Sequence, residues 1–489
     1  MLTLGIDLGT SSVKIIAMNE KNQIVGEAGA EYPIYYPQEG WAEQNPEDWW
    51  QGTLEALEKL LSLPAIDAKD VKGIGFSGQM HGLVSLDAEN KVLHPALLWC
   101  DQRTEAECAS ITEAFGLDGL KETVANQALT GFTAPKLLWI KRHHPEFYAQ
   151  IKHVLLPKDY IRFKLSGDYA TDYSDASGML LLDIRNKVWS KEMCDFLELD
   201  MAALPKLYHS YEVTGKVSSD LCSRLGFQDE VLIVGGAGDQ AAGAVGTGTV
   251  KPGVVSVTLG TSGVVFAAHD AFAVDDSMRL HAFCHANGKY HSMGVMLSAA
   301  NSLKWWSESM HPETPLETLL LEAEAAPLGS QNVIFLPYLQ GERTPYADTK
   351  ARGTFVGMTS ATTRGSMTRA ILEGVTFGLN DSLKILKANN VPITEIRMIG
   401  GGAKSAFWQQ ILADVFNAPV CKVNTDQGGA LGAAILASVG CGIYPNVEAA
   451  CEAIITTSNT VLPRAEFATK YRTIHERYTA LYFALKEWF

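Results

Sequence analysis

Asp7-Leu8-Gly9-Thr10-Ser11-Ser12 near the N-terminus and Thr258-Leu259-Gly260-Thr261-Ser262-Gly263 in mid-chain are near-copies of one another. Each lies between apolar stretches that read as strands: Leu2 to Ile6 and Val13 to Met18 for the first, Val254 to Val257 and Val264 to Phe266 for the second. A strand, a Gly-Thr-Ser turn and a second strand make a hairpin whose tip exposes backbone N–H groups and hydroxyls. Such a tip holds a phosphate without a cationic side chain. Two of them predict a duplicated fold that closes on a nucleotide triphosphate from both sides. Thr10, Ser11 and Ser12 are the expected phosphate donors of one tip, and Gly260, Thr261 and Ser262 those of the other.

Outward from the first hairpin, residues 2–33 read as three strands with turns at Gly9-Thr10 and at residues 19–22. A helix follows: Asn45 is a good cap, Pro46 suits the first helical position, and Glu47 and Asp48 complement the helix dipole. Its apolar residues Trp50, Leu54, Leu57 and Leu61 recur at helical spacing. A short strand, Ile74 to Ser77, then runs into Gly78-Gln79-Met80-His81-Gly82. Alternating strands and helices predict an α/β architecture with helices packed on a sheet. The Gly-rich stretch 235–246 follows a strand, Val231 to Val234, and its small residues permit close helix–strand packing. The first half's pattern starts over at about 245–255, which puts the expected domains at 1–247 and 248–489. Residues 312–330 and 464–489 read as amphipathic helices.

At 489 residues the chain exceeds one hydrophobic core. An apolar share of 47% with 19% charged residues is that of an ordinary soluble globular protein. The net charge of −15 argues against nucleic acid or an anionic membrane surface as partner, since both need a basic face. The eight cysteines show no C-x-x-C spacing, no secretory leader is evident, and no apolar run approaches a membrane span. Reduced thiols and a cytoplasmic location are expected.

Asp7 closes a buried strand beside the first tip. Its carboxylate either holds a magnesium ion against the phosphates or bonds its own turn; the second copy favours the former. Thr258 stands where the first copy has Asp7, so one half supplies the metal-side carboxylate and the other only phosphate donors. Asp239 sits at a strand end among glycines, with no Lys or Arg within ten residues on either side. An unpaired acid there is costly to bury unless it works, which makes it the leading catalytic candidate; the alternative is a helix N-cap. Phosphoryl transfer needs such a carboxylate to accept the proton of the attacking hydroxyl. His81 is a candidate contact for a polyhydroxylated substrate or a structural histidine. Trp99, Asp101 and Arg103 suit a sugar, although an Asp/Arg pair in a turn is equally a surface salt bridge.

Gly400-Gly401-Gly402-Ala403-Lys404-Ser405 follows a strand, Ile396 to Ile399, and enters a helix at about Ala406. Gly401, Gly402 and Ala403 let a ligand lie against the backbone at a helix N-terminus, and adenosine is the natural one if phosphates occupy the hairpin tips. The spacing is neither that of a P-loop nor of a dinucleotide fingerprint. A simple tight turn is the alternative. Asp426-Gln427-Gly428-Gly429-Ala430 is a candidate further wall. His281, Cys284, His285 and His291 are close in sequence, but strand geometry throws such side chains to opposite faces, so no metal is expected there.

The chain resembles the FGGY carbohydrate kinase family, of the actin/Hsp70-like ATPase fold, over essentially its whole length. One family signature matches at Gly131-Phe132-Thr133-Ala134-Pro135-Lys136-Leu137-Leu138-Trp139-Ile140-Lys141-Arg142-His143. A second matches at Gly353-Thr354-Phe355-Val356-Gly357-Met358 and, seven residues on, Ser366-Met367-Thr368-Arg369-Ala370-Ile371-Leu372-Glu373. Ser366 departs from the acid, amide or histidine expected there, yet a serine caps the following helix equally well. Within the family, Gly78 to Gly82, Leu155-Leu156-Pro157-Lys158-Asp159-Tyr160, Thr171 to Ala176 and Leu336 to Pro345 resemble the branch acting on D-xylulose.

The resemblance implies two ribonuclease H-like domains flanking a deep cleft and ATP-dependent phosphorylation of D-xylulose at O5. It makes Asp239 the proton acceptor and Met80 and His81 sugar contacts, with Gln240 keeping an amide for a sugar hydroxyl; Trp99 joins them from the aromatic cluster above. Asp7 serves Mg2+, and the Gly400–Ser405 turn holds adenosine. Gln240 replaces the Asn that some relatives carry there, which leaves the sugar's stereochemistry open. Related kinases are often dimers, so a homodimer is expected. The rival expectations are a kinase for L-xylulose or ribulose, or an actin/Hsp70-like ATPase without sugar kinase activity.

Overall fold

The first hairpin forms as its sequence predicts: β1 (Leu2–Leu8) pairs antiparallel with β2 (Ser12–Asn19), which pairs with β3 (Ile24–Glu31). The computed structural model describes residues 1–228 and 230–489. Asn45 caps α1 (Pro46–Leu61) by accepting the Glu47 N–H, and Trp49, Trp50, Leu54, Leu57 and Leu60 are its buried large side chains. The chain then returns as β4 (Val71–Gly78), parallel to β1. Further strands β5 (Val213–Lys216) and β6 (Leu232–Val234) give the sheet order β5-β6-β4-β1-β2-β3, and the short β7 (Ala237–Gly238) pairs with the end of β4. Helices α2 (Thr133–His143), α3 (Pro157–Ser166) and α4 (Asp239–Gly246) belong to the same unit. Leu4, Ile6, Ile15, Trp49, Leu57 and Phe76 lie in its core.

This first unit comprises Met1–Val250 and two segments that come back to it, Ala282–Tyr290 and Gln427–Ile455. The split at 247/248 does not include either returning segment. Small residues explain the second. The helix Gly428–Gly440 lies so close on the sheet that a Cβ on Gly5 would stand 1.9 Å from the Ala430 carbonyl oxygen, and one on Gly75 2.0 Å from that of Ala433. On its other side, a Cβ on Gly432 would stand 1.8 Å from the Ala242 carbonyl oxygen in α4. The helix fits between β1, β4 and α4 at van der Waals density because the positions at those contacts, Ala430, Gly432 and Ala433, are glycine or alanine.

The second unit comprises Lys251–His281, His291–Asp426 and Thr456–Phe489. It reuses the same plan. β8 (Gly253–Leu259) and β9 (Gly263–His269) form the hairpin, and β10 (Ile393–Ile399) pairs parallel with β8 as β4 does with β1. β11 (Val420–Val423) and β12 (Thr457–Val461) continue the sheet in the order β9-β8-β10-β11-β12. The long buried helix α5 (Arg364–Ala388) and α6 (Ala406–Phe416) contribute Leu372, Trp408 and Leu412 to a core with Val255, Val257 and Phe335. No helix among the described residues is long and apolar enough to cross a membrane.

Candidate active site

The two tips close alike. Gly9 N–H donates to the Ser12 carbonyl at 3.0 Å, and Gly260 N–H to the Ser262 carbonyl at 3.1 Å. The four backbone amides of Thr10, Ser11, Thr261 and Ser262 have no partner among the described residues. They are the fixed, neutral donors that a phosphate needs. The loops differ by one residue, because Leu8 pairs with Val13 but Leu259 pairs with Gly263. The first tip is anchored by Gln44, whose amide donates to the Thr10 carbonyl at 2.7 Å, and by Tyr32, whose hydroxyl donates to the Gly9 carbonyl. Trp99, 40% exposed, donates its indole N–H to the Thr10 hydroxyl at 3.0 Å, so it belongs beside this tip.

Register brings the acids together. Asp7 lies opposite Ser77 across β1 and β4, and Ser77 opposite Ala237 across β4 and β7, so Asp7 and Asp239 emerge at the same, carboxyl edge of the sheet from the two parallel strands that flank β4. Ligands bind at this edge of open α/β sheets. Asp239 is the first residue of α4, and Gly238 occupies the cap position, so the carboxyl is not used as a helix N-cap. Burial pushes its pKa up to about 7, the charge of Asp7 adds to the rise, and the backbone and side chain of Gln240 oppose it. Asp7 is also raised by burial, against the Ser77 hydroxyl and Lys14. The first turn of the 428–440 helix abuts it: a Cβ on Gly429 would lie 3.0 Å from both Asp7 carboxylate oxygens.

Met80 and His81 occupy the turn after β4. Met80 is buried against Gly238, whose absent Cβ would meet its Cγ, Sδ and Cε at 2.8 to 3.0 Å. His81 adopts φ +69°, a conformation a non-glycine residue keeps only when its surroundings enforce it. Lys136 Nζ and the Thr133 hydroxyl, both on α2, donate to its carbonyl at 2.9 and 3.0 Å. Burial pulls the Lys136 pKa down to about 7. The ring stands edge-on to Phe132 and its Nδ1 meets the Gly178 carbonyl at 2.6 Å. A carbonyl only accepts, so Nδ1 carries a proton and Nε2 is the ring's acceptor in the neutral form. Ser77, Lys136 and Gly178 were not singled out from sequence as site residues. Lys136 lies inside a quoted signature, and Ser77 follows from pairing β4 parallel to β1, but no local signal marks Gly178.

Asp101 and Arg103 are not a sugar site or a surface pair. The guanidinium grips Asp101 through Nε at 2.9 Å and Nη2 at 2.7 Å, reaches Glu43 at 2.8 Å and stacks 3.6 Å from the Trp41 ring. Both side chains are fully buried, so the pair serves the fold.

In the second unit the Gly400–Ser405 turn packs on the second tip. Gly400 has φ +91°, and a Cβ there would stand 2.7 Å from the Leu259 carbonyl oxygen. The turn becomes a short 3-10 helix, Gly401–Lys404, and Ser405 caps α6. Gly400, Ala403 and Lys404 line a cavity of about 340 Å³ with Lys422, Asn424 and Asp426. Asp426 thus walls this cavity, whereas Gly428 to Ala430 begin the helix against Asp7. The fit to a divalent cation rests on the Asp7 carboxylate, with the buried Ser77 hydroxyl beside it. No group of three or more His, Cys, Asp or Glu among the described residues forms a self-sufficient metal site. One carboxylate completed by phosphate oxygens and water is the usual magnesium arrangement.

Residues 2–246 match the model of the FGGY family of carbohydrate kinases, N-terminal domain, and residues 255–441 that of its C-terminal domain. The chain is 40% identical over 485 residues to the xylulose kinase of Bacillus subtilis (strain 168), covering 99% of this chain and 97% of that one. Its structure superposes with a TM-score of 0.95 on the crystal structure of a "xyloylose kinase" from Brucella ovis, 38% identical, with all of both chains covered. The same score relates it to a gluconate kinase from Lactobacillus acidophilus, 27% identical, covering 99% of this chain and 98% of that one.

Proposed function

Because the chain belongs to the FGGY family of carbohydrate kinases, we propose that it transfers the γ-phosphoryl group of ATP to O5 of D-xylulose. The observation carrying the chemistry is Asp239: a half-buried carboxyl at a sheet edge, with its pKa pushed up to about 7 and Met80 and His81 in the adjoining turn. The sugar is supported by 40% identity over nearly the full length to a xylulose kinase.

The ionised Asp239 accepts the O5 proton as the O5–Pγ bond forms and the bond from Pγ to the β,γ-bridging oxygen breaks. D-xylulose 5-phosphate and ADP leave, and the proton passes to solvent. Met80 gives the sugar an apolar wall, His81 Nε2 accepts from a hydroxyl, and Gln240 offers an amide beside the base. The Thr10 and Ser11 amides of the first unit, and likewise the Thr261 and Ser262 amides of the second, are donors to phosphate oxygens that need not reorganise. The Gly400–Ser405 turn takes the adenosine. Asp7 holds magnesium, which when bound spreads the charge developing on the phosphate oxygens.

Turnover of the four ketopentoses, with glycerol and gluconate as controls, tests the substrate. D-xylulose is expected to have the highest kcat/KM; preference for L-xylulose or a ribulose replaces the sugar but keeps the chemistry, and ATP hydrolysis indifferent to every sugar removes both. Gly178→Ala is a second test. Its Cβ would stand 2.5 Å from His81 Nδ1 and displace the ring. The sugar KM is expected to rise about tenfold or more, with the ATP KM unchanged; an unaltered sugar KM rules out His81 as a contact.

A further inference from the structure

Asp239 is delivered by a segment that cannot anchor itself. Gly235-Gly236-Ala237-Gly238 carries one methyl group, and Gly236 adopts φ +71°. Beyond its pairing with β4 and its main-chain bonds to Glu212 and Ser210, the segment is held by a buried ionic network on α3 and the adjoining 171–176 stretch. Lys158 Nζ lies 2.6 Å from Asp159, 2.9 Å from Asp172 and 3.3 Å from Asp175, and Arg162 lies 2.7 Å from Asp159; all five side chains are at most 1% exposed. Burial raises the Asp175 pKa well above the usual carboxylate range, against the pull of Lys158. Charges buried this deeply hold only as a set.

The network reaches both ends of the glycine segment. At one end Arg162 donates to the Gly235 carbonyl at 2.9 Å. At the other, the Gly238 N–H donates to the Ser174 hydroxyl at 3.3 Å, and that hydroxyl donates to Asp172 at 2.5 Å. Ser210 also donates to Asp172, at 2.7 Å, but its hydroxyl makes no bond to the segment; only its carbonyl does, from the Gly236 N–H.

We propose that Ser174 is a positioning residue, whose hydroxyl, fixed by the Lys158–Asp159–Arg162–Asp172 network, holds Gly238 and so sets the point from which Asp239 acts. This rests on the reading of Asp239 as the base. The paired hydroxyls provide the test, since each removes one bond to Asp172 and only one of them touches Gly238. Steady-state kinetics with D-xylulose and ATP, with thermal midpoints, are compared for Ser174→Ala, Ser210→Ala and Asp239→Asn. Ser174→Ala is expected to lower kcat about ten- to a hundredfold with both KM values within twofold. Ser210→Ala should match its thermal midpoint yet stay within twofold of the parent kcat, and Ser174→Thr, which keeps the hydroxyl, should recover most of the rate. Equal kcat values for the two alanine variants, high or low, overturn the positioning role. That failure is separable: an inactive Asp239→Asn with equal alanine variants sinks the positioning alone, whereas an active Asp239→Asn sinks the base.

Discussion

Asp239→Asn is expected to lower kcat by about three orders of magnitude while ADP affinity and the circular dichroism spectrum stay those of the parent. The amide is nearly isosteric, so the loss isolates proton acceptance. The parent's kcat/KM should fall as pH drops through about 7, the value to which burial and Asp7 push this carboxyl. The same variant should be more stable than the parent in alkali. Below about pH 4 the carboxyl is protonated in both folded and unfolded chains, so the substitution changes little. From there to about 7 the folded chain resists an ionisation that the unfolded chain accepts, and parental stability is lost across that window and stays low above it. The cost is up to about 4 kcal/mol before solvent screening. Thermal midpoints at pH 4.5 and 8 measure it: the variant's advantage should be full at 8 and much smaller at 4.5. A near-normal turnover number refutes the assignment, and a pH-independent gain in midpoint refutes its electrostatic cause.

Gly432→Ala is expected to cost at least about 3 kcal/mol and to take activity with it. Its Cβ would stand 1.8 Å from the Ala242 carbonyl oxygen and 2.6 Å from the carbonyl carbon. Backbone faces backbone, so no flexible side chain can yield, and the helix that begins with Asp239 must move. Gly243→Ala supplies the contrast. It lies in the same α4, and nothing stands within 4 Å of its added Cβ. There alanine removes unfolded-state freedom and should stabilise by about 0.5–1 kcal/mol. Urea unfolding of both variants checks the pair; a Gly432→Ala protein as stable as the parent means that the two helices do not meet as described.

The hairpins, the first helix with its Asn45 cap and the Gly400 turn were legible because each is local: strand period, turn chemistry and capping sit within a few residues. Asp239 was legible as an acid with no nearby counter-charge, and the structure adds that Gly238, not Asp239, holds the cap position. What sequence did not reveal is long-range. Nothing in Gly428-Gly429-Ala430 says that this helix returns to Asp7 across more than 400 residues, since small residues announce close packing without naming the partner. Asp101 and Arg103, two residues apart, read equally as a ligand site or a turn until Trp41 and Glu43 are seen to bury them.

The turn after the parallel neighbour of each hairpin now shows what the two units do differently. In the first unit that corner carries Met80 and a strained His81; in the second it is bare main chain at Gly400 to Gly402. Bulky groups meet a ligand's individual hydroxyls, whereas naked peptide admits any flat ring of the right size. On the proposed reading, sugar preference should therefore shift readily by exchanges at residues 79–82, whereas Gly400 to Gly402 offer no side chain to exchange and selectivity on that side falls to neighbours such as Lys422, Asn424 and Asp426.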